Sequence, residues 1–401
     1  MKNLSVDEAR ALMLAHARPL AAERTPCAHA KLRIVAQEVR AARDQPPFDA
    51  SAMDGWAVRR RDALQTARPL RIIGESAAGK AYDGEVAPDT AVRIFTGAPI
   101  PPGADCVVIQ EEADKEGDRV TVGPLASKAG NIRPRGGDFR AGDILLKPGE
   151  GLTPWLLSLA AAAGQDTLAV YRQPIVAVLS TGAELVHAGT APRDDQIFES
   201  GSLGLAALIE QWGGKALTLG VAADNEEAVR AAVKPAQADI VVTVGGASVG
   251  DHDIVKPALR GLGLNQFVDS VRVRPGKPTW FGTVPDGRLI LGLPGNPASA
   301  FVCAELFLRP LIFALTGRDP APSFHTARLA APLRAEGPRE HYHRARAWLN
   351  GEGQLCAEAF SDQDSSLLTV FAHANALVRR MPQAEAAAIG DPVSVLLLRP
   401  L

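Results

Sequence analysis

Apolar residues near the start of the 401-residue chain recur at helical spacing. This spacing predicts a helix over 6–17 and a second helix over 27–42. Pro46-Pro47 ends the region, because the proline ring removes a backbone N–H and restricts the preceding residue. The pattern then changes to short β-branched runs between Gly, Pro and Asp turns, which predicts a mostly β segment over 48–147. A Thr-Pro pair opens a further predicted helix over 153–163.

From residue 175 onwards, strand patterns alternate with helix patterns. The predicted strands are 175–179, 216–221, 240–244 and 289–293, and the predicted helices are 203–212, 226–233 and 298–315. Apolar strands that alternate with helices of this length indicate a parallel sheet with helices on both faces, a three-layered α/β domain. After residue 317 the pattern is strand-like and polar, so a small all-β domain is expected at the end.

Composition and charge narrow the class of protein. The chain is 46% hydrophobic and 22% charged, with a net charge of −2, so no overall positive field attracts nucleic acid. No uninterrupted apolar run is long enough to span a bilayer, and the N-terminus lacks a secretory signal. Four cysteines without a C-x-x-C pair fit a reduced compartment. We therefore expect a cytoplasmic protein that neither spans a membrane nor binds nucleic acid. The eight histidines show no H-E-x-x-H spacing, so no zinc site is expected.

A glycine-rich loop follows the predicted strand 240–244 directly. Its sequence, GGASVG, includes Gly245, Gly246, Ser248 and Gly250. Glycines allow a tight turn and present adjacent N–H groups to an anion, so the loop predicts a phosphate site. The alternative is an ordinary strand-to-helix turn without a ligand, since neither G-x-G-x-x-G nor a P-loop is present.

A second candidate is Pro294-Gly295-Asn296-Pro297, which follows the predicted strand 289–293. An Asn at the N-cap followed by Pro is a good helix start and explains the segment without a ligand. The carboxyl ends of parallel strands are nevertheless where open α/β sheets bind ligands. This position keeps the segment among the candidates for a cleft wall.

Acidic residues gather at the same predicted edge of the sheet. The polar residues at this edge are five acids and one serine: Glu184, Glu199, Asp224, Ser248, Asp251 and Asp253. Clustered carboxylates repel each other unless a cation lies between them, and Mg²⁺ shared with phosphate oxygens would satisfy them. For any single acid, a solvated loop or an N-cap is the alternative, for Asp224 above all.

Basic residues supply the opposite charge. Alternation along a strand places Arg272 and Arg274 on one face, and Lys277 follows between two prolines. Such a group can bind phosphate or another oxyanion, although a solvated strand edge explains it equally well. In the β-rich segment, the stretches 48–58 and 96–99 are weaker candidates by composition alone.

Seven stretches in order resemble the MoeA-type molybdopterin molybdenumtransferases, the family that includes the E domain of gephyrin. They are PPFDASAMDGWAVR (46–59), RIFTGAPIPPGADCVVIQEE (93–112), NIRPRGGDFRAGD (131–143), STGAEL (180–185), VGGASVGDHD (244–253), RPGKPTWFG (274–282) and GLPGNPASA (292–300). Together they extend the resemblance over essentially the whole chain.

The resemblance implies an α/β multidomain fold and a homodimer. The expected domains are an elongated helical linker domain (1–45 and 139–170), an inserted β-rich domain (46–138), a three-layered molybdopterin-binding α/β domain (171–317) and a C-terminal β-barrel-like domain (318–401). The family's reaction uses adenylylated molybdopterin, molybdate as co-substrate and Mg²⁺. The phosphoanhydride is cleaved, AMP leaves, and molybdenum is placed on the dithiolene sulfurs. Other molybdenum-cofactor enzymes are possible partners.

The resemblance also implies roles for individual positions. The implied catalytic residues are Asp54, Thr96, Glu184 and Asp253, with Asp54, Glu184 and Asp253 as the Mg²⁺ ligands. The implied substrate-binding residues are Asp138, Asp224, Gly245, Gly246, Ser248, Gly250, Pro294, Gly295 and Pro297. Arg274, Lys277 and Ser270 are expected to bind molybdate. Asp54, Thr96, Arg133, Arg135 and Asp138 match positions that face the partner subunit's cleft.

The chain departs from the family pattern at two places. Glu199-Ser200-Gly201 replaces the common Asp-Ser/Thr-Asn, and Ser270 stands where many members carry a lysine. Both changes predict a weaker oxyanion site.

Three other functions compete with this interpretation. A molybdopterin adenylyltransferase is normally the α/β domain alone, so the long segments 1–170 and 318–401 argue against it. A gephyrin-like binding scaffold need not keep acids such as Asp54, Glu184 and Asp224. A nucleotide-dependent oxidoreductase is disfavoured because G-x-G-x-x-G is absent.

Overall fold

A six-stranded mixed sheet forms the central domain in the computed structural model, which describes residues 1–65, 68–122, 130–246 and 254–401. The strands lie in the order Lys215–Ala222, Ile175–Thr181, Ile240–Val244, Leu289–Leu293, Trp280–Thr283 and Asn265–Val268. The first four are parallel, as predicted. The last two are antiparallel and were not predicted from the pattern.

Helices cover both faces of this sheet. Gly201–Gln211 and the helix that begins at Pro297 pack on one face, and Glu226–Val233 and Val255–Arg260 pack on the other. Alternating strand residues serve the two cores: Val176 and Val178 belong to the first, and Ala177 and Leu179 to the second. The three-layered α/β architecture is thereby confirmed.

The long C-terminal helix of this domain runs continuously through Pro297–Cys303, a π-helical turn at Ala304–Leu308 and Arg309–Leu315. It is long and apolar enough to cross a membrane by length and composition, yet 83% of its apolar window is buried inside the protein. The buried Glu305 carboxylate accepts a hydrogen bond from Arg309 at 3.1 Å. Burial raises the pKa of Glu305. The segment is therefore a core helix of the α/β domain.

The N-terminal helix, Val6–Leu14, begins with a capping box between Ser5 and Glu8 and packs on the central domain. The predicted helix over 27–42 is wrong. Only a 3₁₀ turn, Cys27–His29, and a two-residue strand, Val39–Arg40, occur there. The backbone pairs instead with distant segments, since Val35 N–H donates to Glu150 and Ala36 N–H donates to Ala169. Tertiary pairing thus overrides the local helical spacing.

The rest of the linker region consists of two antiparallel ribbons and one helix. Ala22–Pro26 pairs with Thr167–Tyr171, and Val39–Arg40 pairs with Ile144–Leu146. The helix Pro154–Ala162 starts as predicted, with the Thr153 hydroxyl accepting from the Leu156 N–H at 3.3 Å.

A second six-stranded sheet forms the inserted β-rich region. Its order is Cys106–Ile109, Gly55–Val58, Thr90–Ile94, Pro69–Ser76, Arg119–Val122 and Ala113–Glu116. A small ribbon pairs Ala50–Ser51 with Ile132–Arg133, and a short helix covers Arg60–Ala63. The predicted β character of this region is confirmed.

The C-terminal region contains a closed five-stranded barrel. Its strands are Glu340–Leu349, Leu355–Ala359, Phe324–Leu329, Pro392–Leu397 and Ala376–Arg380, and the last pairs again with the first. Val273–Arg274 adds to the first strand in parallel, so this basic segment joins the barrel's sheet. A short helix, Leu368–His373, lies in the connection. The expected barrel-like domain is confirmed, whereas the domain limits themselves stay a prediction.

Candidate functional site

A cavity of about 840 Å³ opens at the carboxyl ends of the central parallel strands. The loops after Ile175–Thr181, Ile240–Val244 and Leu289–Leu293 form its walls, which is where open α/β sheets bind ligands. Of the predicted site residues, the cavity is lined by Glu184, Asp224, Gly245, Gly246, Pro294, Gly295 and Pro297. The structure therefore brings these positions to one place, while their roles stay predictions.

The glycine turn of the cavity wall is closely packed. Gly245 has φ +92° and Gly246 has φ +58°, conformations that favour glycine. A Cβ on Gly245 would lie 2.5 Å from the Thr181 carbonyl oxygen. A Cβ on Gly295 would lie 3.4 Å from the Gly245 Cα, so the two loops touch. Glycine at position 245 is thus required by the turn itself, whether or not an anion binds.

Two carboxylates in the cavity have different surroundings. The Ala183 N–H donates to Asp224 Oδ2 at 2.8 Å. This bond ties the loop after Lys215–Ala222 to the loop after Ile175–Thr181. Asp224 is not the cap of the following helix, because Asn225 Oδ1 accepts from the Ala228 N–H at 2.8 Å. Glu184 is exposed, and its carboxylate accepts no hydrogen bond within the described ranges. Glu184 is therefore the more available ligand for a cation.

Glu199 serves the structure of the cavity wall. Its Oε1 accepts from the Ser202 N–H at 2.7 Å and from the Ser180 hydroxyl at 3.1 Å. Its Oε2 accepts from the Ser202 hydroxyl at 2.6 Å. The glutamate thus caps the helix Gly201–Gln211, whose Ser200 makes no side-chain cap. At this departure from the family pattern, the longer carboxylate reaches the helix start.

The C-terminal region also contributes residues to this cavity. This contribution was not predicted from the sequence. Ser366 and Leu368 line it. Asn296 Nδ2 donates to Ser365 Oγ at 2.8 Å, and the Ala298 N–H donates to the Ser365 carbonyl at 3.2 Å. Asn296 is the N-cap residue of its helix, but its side chain does not make the capping hydrogen bond that the sequence predicted. The run SDQDSS at 361–366 was the only local signal for a polar loop here.

A separate cluster forms in the β-rich region around Asp54. The Thr96 N–H and hydroxyl both donate to Asp54 Oδ1, at 2.7 and 2.8 Å. The backbone hydrogen bond from Thr96, then its hydroxyl, holds the pKa of Asp54 below its usual value, and Arg93 adds to this. Asp54 is therefore a fixed carboxylate at neutral pH.

The remaining predicted residues of this region lie on a short ribbon and in the turn that follows it. Gly97 N–H donates to the Ser51 carbonyl, and Ile132–Arg133 pairs with Ala50–Ser51. Arg133 and Asp138 are both exposed. Arg135 is held by Asp44, to which its Nε donates at 2.5 Å. Among the residues that the structure describes, no side chain of 46–138 lines the central cavity.

The basic candidates do not line the central cavity as one group. Arg274 is exposed and lines a different cavity, beside the C-terminal barrel. Lys277 is also exposed, while its neighbour Pro278 lies in the central cavity wall. Ser270 is bound to the N-terminus, since its hydroxyl accepts from the Asn3 N–H at 2.9 Å. Arg274, Lys277 and Ser270 thus have different surroundings, and their role in molybdate binding stays a prediction.

Several predicted residues lie outside the described ranges. They are Ser248, Gly250, Asp251 and Asp253 of the glycine-rich loop. Their predicted roles in phosphate and metal binding are therefore untested by the structure.

Three family models match the chain in succession. The MoeA N-terminal region (domain I and II) matches residues 4–164, the probable molybdopterin binding domain matches 177–314, and the MoeA C-terminal region (domain IV) matches 326–398. Together they extend from the linker segment to the barrel, and the cavity residues 180–297 belong to the second.

Individual proteins similar to this chain indicate the same family. A protein named molybdopterin molybdenumtransferase from Haemophilus influenzae is 35% identical over 98% of both chains. One of the same name from a Nostoc species is 37% identical over 77% of this chain and 73% of that one. A crystal structure titled as a molybdopterin biosynthesis MoeA protein from Pyrococcus horikoshii is 28% identical, covers 100% of both chains and superposes with a TM-score of 0.86. The chain belongs to the MoeA family and has its multidomain fold.

Proposed function

We propose that this chain is a molybdopterin molybdenumtransferase that inserts molybdate into adenylylated molybdopterin. Cleavage of the phosphoanhydride then releases AMP, and molybdenum is placed on the dithiolene sulfurs. The transferase class rests on relatives that carry this name and match 98% and 77% of the chain. The family models for the N- and C-terminal regions favour this enzyme over an adenylyltransferase made of the α/β domain alone.

The observation that supports the proposal best is the chemistry of the central cavity. Three carboxylates, Glu184, Glu199 and Asp224, share a cavity with the Gly245-Gly246 turn. Oxygen donors of this kind suit a hard divalent ion, and backbone N–H groups at a strand end suit phosphate. A Mg²⁺ ion there would neutralise the phosphate oxygens around the bond that is cleaved.

The residues available for Mg²⁺ divide between two regions. The Glu184 carboxylate accepts no hydrogen bond from the described residues, whereas Glu199 uses both of its carboxylate oxygens for the helix start. Asp54 keeps Oδ2 available because both Thr96 bonds go to Oδ1. We therefore assign Mg²⁺ to Glu184 and Asp54, with Asp253 as the third proposed ligand.

These two carboxylates meet in one site only if the chain dimerises in the proposed way. The Asp54 loops would then close the partner subunit's cavity, in a symmetric homodimer with two composite sites. Asp138 and Thr96 belong to the part contributed across the interface. Asp224, Pro294, Gly295 and Pro297 shape the wall contributed by the same chain.

We assign molybdate to Arg274 and Lys277, whose exposed side chains can bind an oxyanion. Ser270 would support the strand through Asn3 instead of binding the anion directly. We further propose that the enzyme acts in the cytoplasm and that its product passes to molybdenum-cofactor enzymes.

An assay of AMP release tests the reaction. Purified chain is incubated with adenylylated molybdopterin and Mg²⁺, with and without molybdate, and AMP is quantified. We expect molybdate-stimulated AMP release that falls by about tenfold or more in Glu184→Gln, a loss typical of a disturbed metal site. Glu227→Gln, an exposed glutamate on the helix Glu226–Val233, is the matched control.

The same assay separates the alternatives. Formation of adenylylated pterin from ATP and molybdopterin would favour the adenylyltransferase. Absence of both activities in folded protein would leave the binding scaffold as the better hypothesis.

A further inference from the structure

A second cavity, of about 880 Å³, lies against the C-terminal barrel and is lined by residues other than those of the central cavity. Glu336, His341 and His343 line it together with Arg274. The possible ligand atoms of the glutamate and the two histidines all lie within 4.8 Å of one another. None of these three residues belongs to the proposed reaction site.

The barrel strand places the two histidines side by side. His341 and His343 are two residues apart on Glu340–Leu349, so their side chains leave the same face of the strand. Their rings are tilted by 33° to each other, with centroids 3.6 Å apart. The Glu336 carboxylate bridges them, with Oε2 at 2.9 Å from His341 Nδ1 and Oε1 at 2.5 Å from His343 Nε2.

Backbone pairing holds Glu336 in this position. Its N–H donates to the Ala384 carbonyl at 2.8 Å, and the Gln383 N–H donates to the Gly337 carbonyl at 2.9 Å. At His341 the strand is paired with Arg380 on one side and with Arg274 on the other. The two histidines therefore lie on a paired strand, and Glu336 lies in a segment held by backbone hydrogen bonds, which favours a fixed ligand geometry.

The side chains that carry the ligand atoms are largely buried. The side chains of His341 and Glu336 are only 4% and 6% exposed, and that of His343 is 11% exposed.

One ring nitrogen of the cluster lacks a hydrogen bond within the described part of the chain. It is His341 Nε2, which is buried. A buried polar atom without a partner normally indicates a missing ligand or water. Glu336 contacts Nδ1 of the same ring, so Nε2 stays open to a water or a further ligand on the other side of the imidazole.

We propose that Glu336, His341 and His343 bind one divalent first-row transition-metal ion of the Zn²⁺ type. Two imidazoles and one carboxylate are a common ligand set for such ions, whereas Mg²⁺ and Ca²⁺ prefer oxygen ligands alone. The remaining coordination position faces the cavity and is filled by water or an anion. The ion joins the segment around Glu336 to the barrel strand beside Arg274.

Metal binding to the unmodified chain is the first test. Tag-free full-length protein is stripped with a chelator and titrated with Zn²⁺ by calorimetry. We expect about one tight equivalent per chain, unaffected by millimolar Mg²⁺, and a rise in Tm. Co²⁺ should give visible absorption bands typical of bound histidine. Absence of tight Zn²⁺ binding would overturn the proposal and would show that the cluster is a hydrogen-bonded triad only.

Variants locate the ion. His343→Gln and Glu336→Gln should each lose the tight Zn²⁺ equivalent, and circular dichroism checks their folding. His325→Gln, at an exposed histidine on another barrel strand, Phe324–Leu329, is the matched control and should keep it. Tight binding that survives in both cluster variants would place the ion elsewhere and contradict the assignment. The measurement does not use AMP release, so its outcome is independent of the proposed reaction.

Discussion

At the scale of single residues, the turn at Gly245 shows how a glycine can be required by packing alone. Its φ of +92° is disfavoured for other residues, and the Thr181 carbonyl stands where a Cβ would lie. The same turn forms the wall that we assign to phosphate. A variant at this position therefore tests stability, and its effect on turnover has to be interpreted against that loss.

We expect Gly245→Ala to lower the free energy of unfolding of the central domain by about 2 kcal/mol, because strain and a backbone clash combine. Gly189→Ala is the matched control: Gly189 has φ +91°, but no atom of the described residues lies within 4 Å of the place its Cβ would take. Urea denaturation of both variants measures the difference. Equal losses would show that the left-handed conformation alone carries the cost and that the Thr181 contact is unimportant.

Sequence reasoning at this scale succeeded where residues follow strand ends. Glu184, Asp224 and Pro294 were placed at one edge because parallel strands share it, and the structure brings them to one cavity. His341 and His343 were not among the predicted ligands, because H-E-x-x-H is a helical spacing and these two histidines lie on a strand. An H-x-H pair on a strand is the signal that would have found them.

At the scale of elements, the helix Gly201–Gln211 depends on a residue outside it. Glu199 supplies the cap and binds the buried Ser180 and Ser202, which no local pattern required. The helix start is therefore built by the same segment that lines the cavity.

Replacing Glu199 by alanine should lower the free energy of unfolding by about 2 kcal/mol, because it leaves two buried hydroxyls and one helix N–H without partners. We expect faster amide hydrogen exchange at the start of Gly201–Gln211, measured by mass spectrometry of the peptide. Glu210→Ala, on the exposed side near the end of this helix, should leave exchange at the helix start unchanged. Unchanged exchange in Glu199→Ala would mean that water replaces the carboxylate without loss.

At the scale of the whole molecule, the predicted site is divided between two places in one chain. Asp54 and Thr96 lie in the β-rich region, and Glu184 lies in the central cavity. We proposed that a homodimer joins them. A site shared between two subunits can be rebuilt from two different variant chains, whereas a site within one chain cannot.

Co-expression of Asp54→Asn with Glu184→Gln tests it. Each variant alone should lose about tenfold or more of the AMP release, whereas a mixed dimer keeps one intact composite site, because both substitutions fall in the other. Random pairing should restore about a quarter of the wild-type AMP release. The control is co-expression of two chains that both carry Glu184→Gln, which should restore nothing. No recovery in purified mixed dimers would contradict a site shared between subunits.

The sequence by itself determined the strand-helix alternation of the central domain, the β character of the inserted region and the family. These features depend on local periodicity and on the order of the motifs, and both can be identified in the sequence without the tertiary contacts. Tertiary structure alone decided that 27–42 is not helical, that Val273–Arg274 joins the barrel and that Ser365 reaches Asn296. In each case the deciding hydrogen bond joins segments far apart in the chain, and such pairing leaves no trace in local spacing.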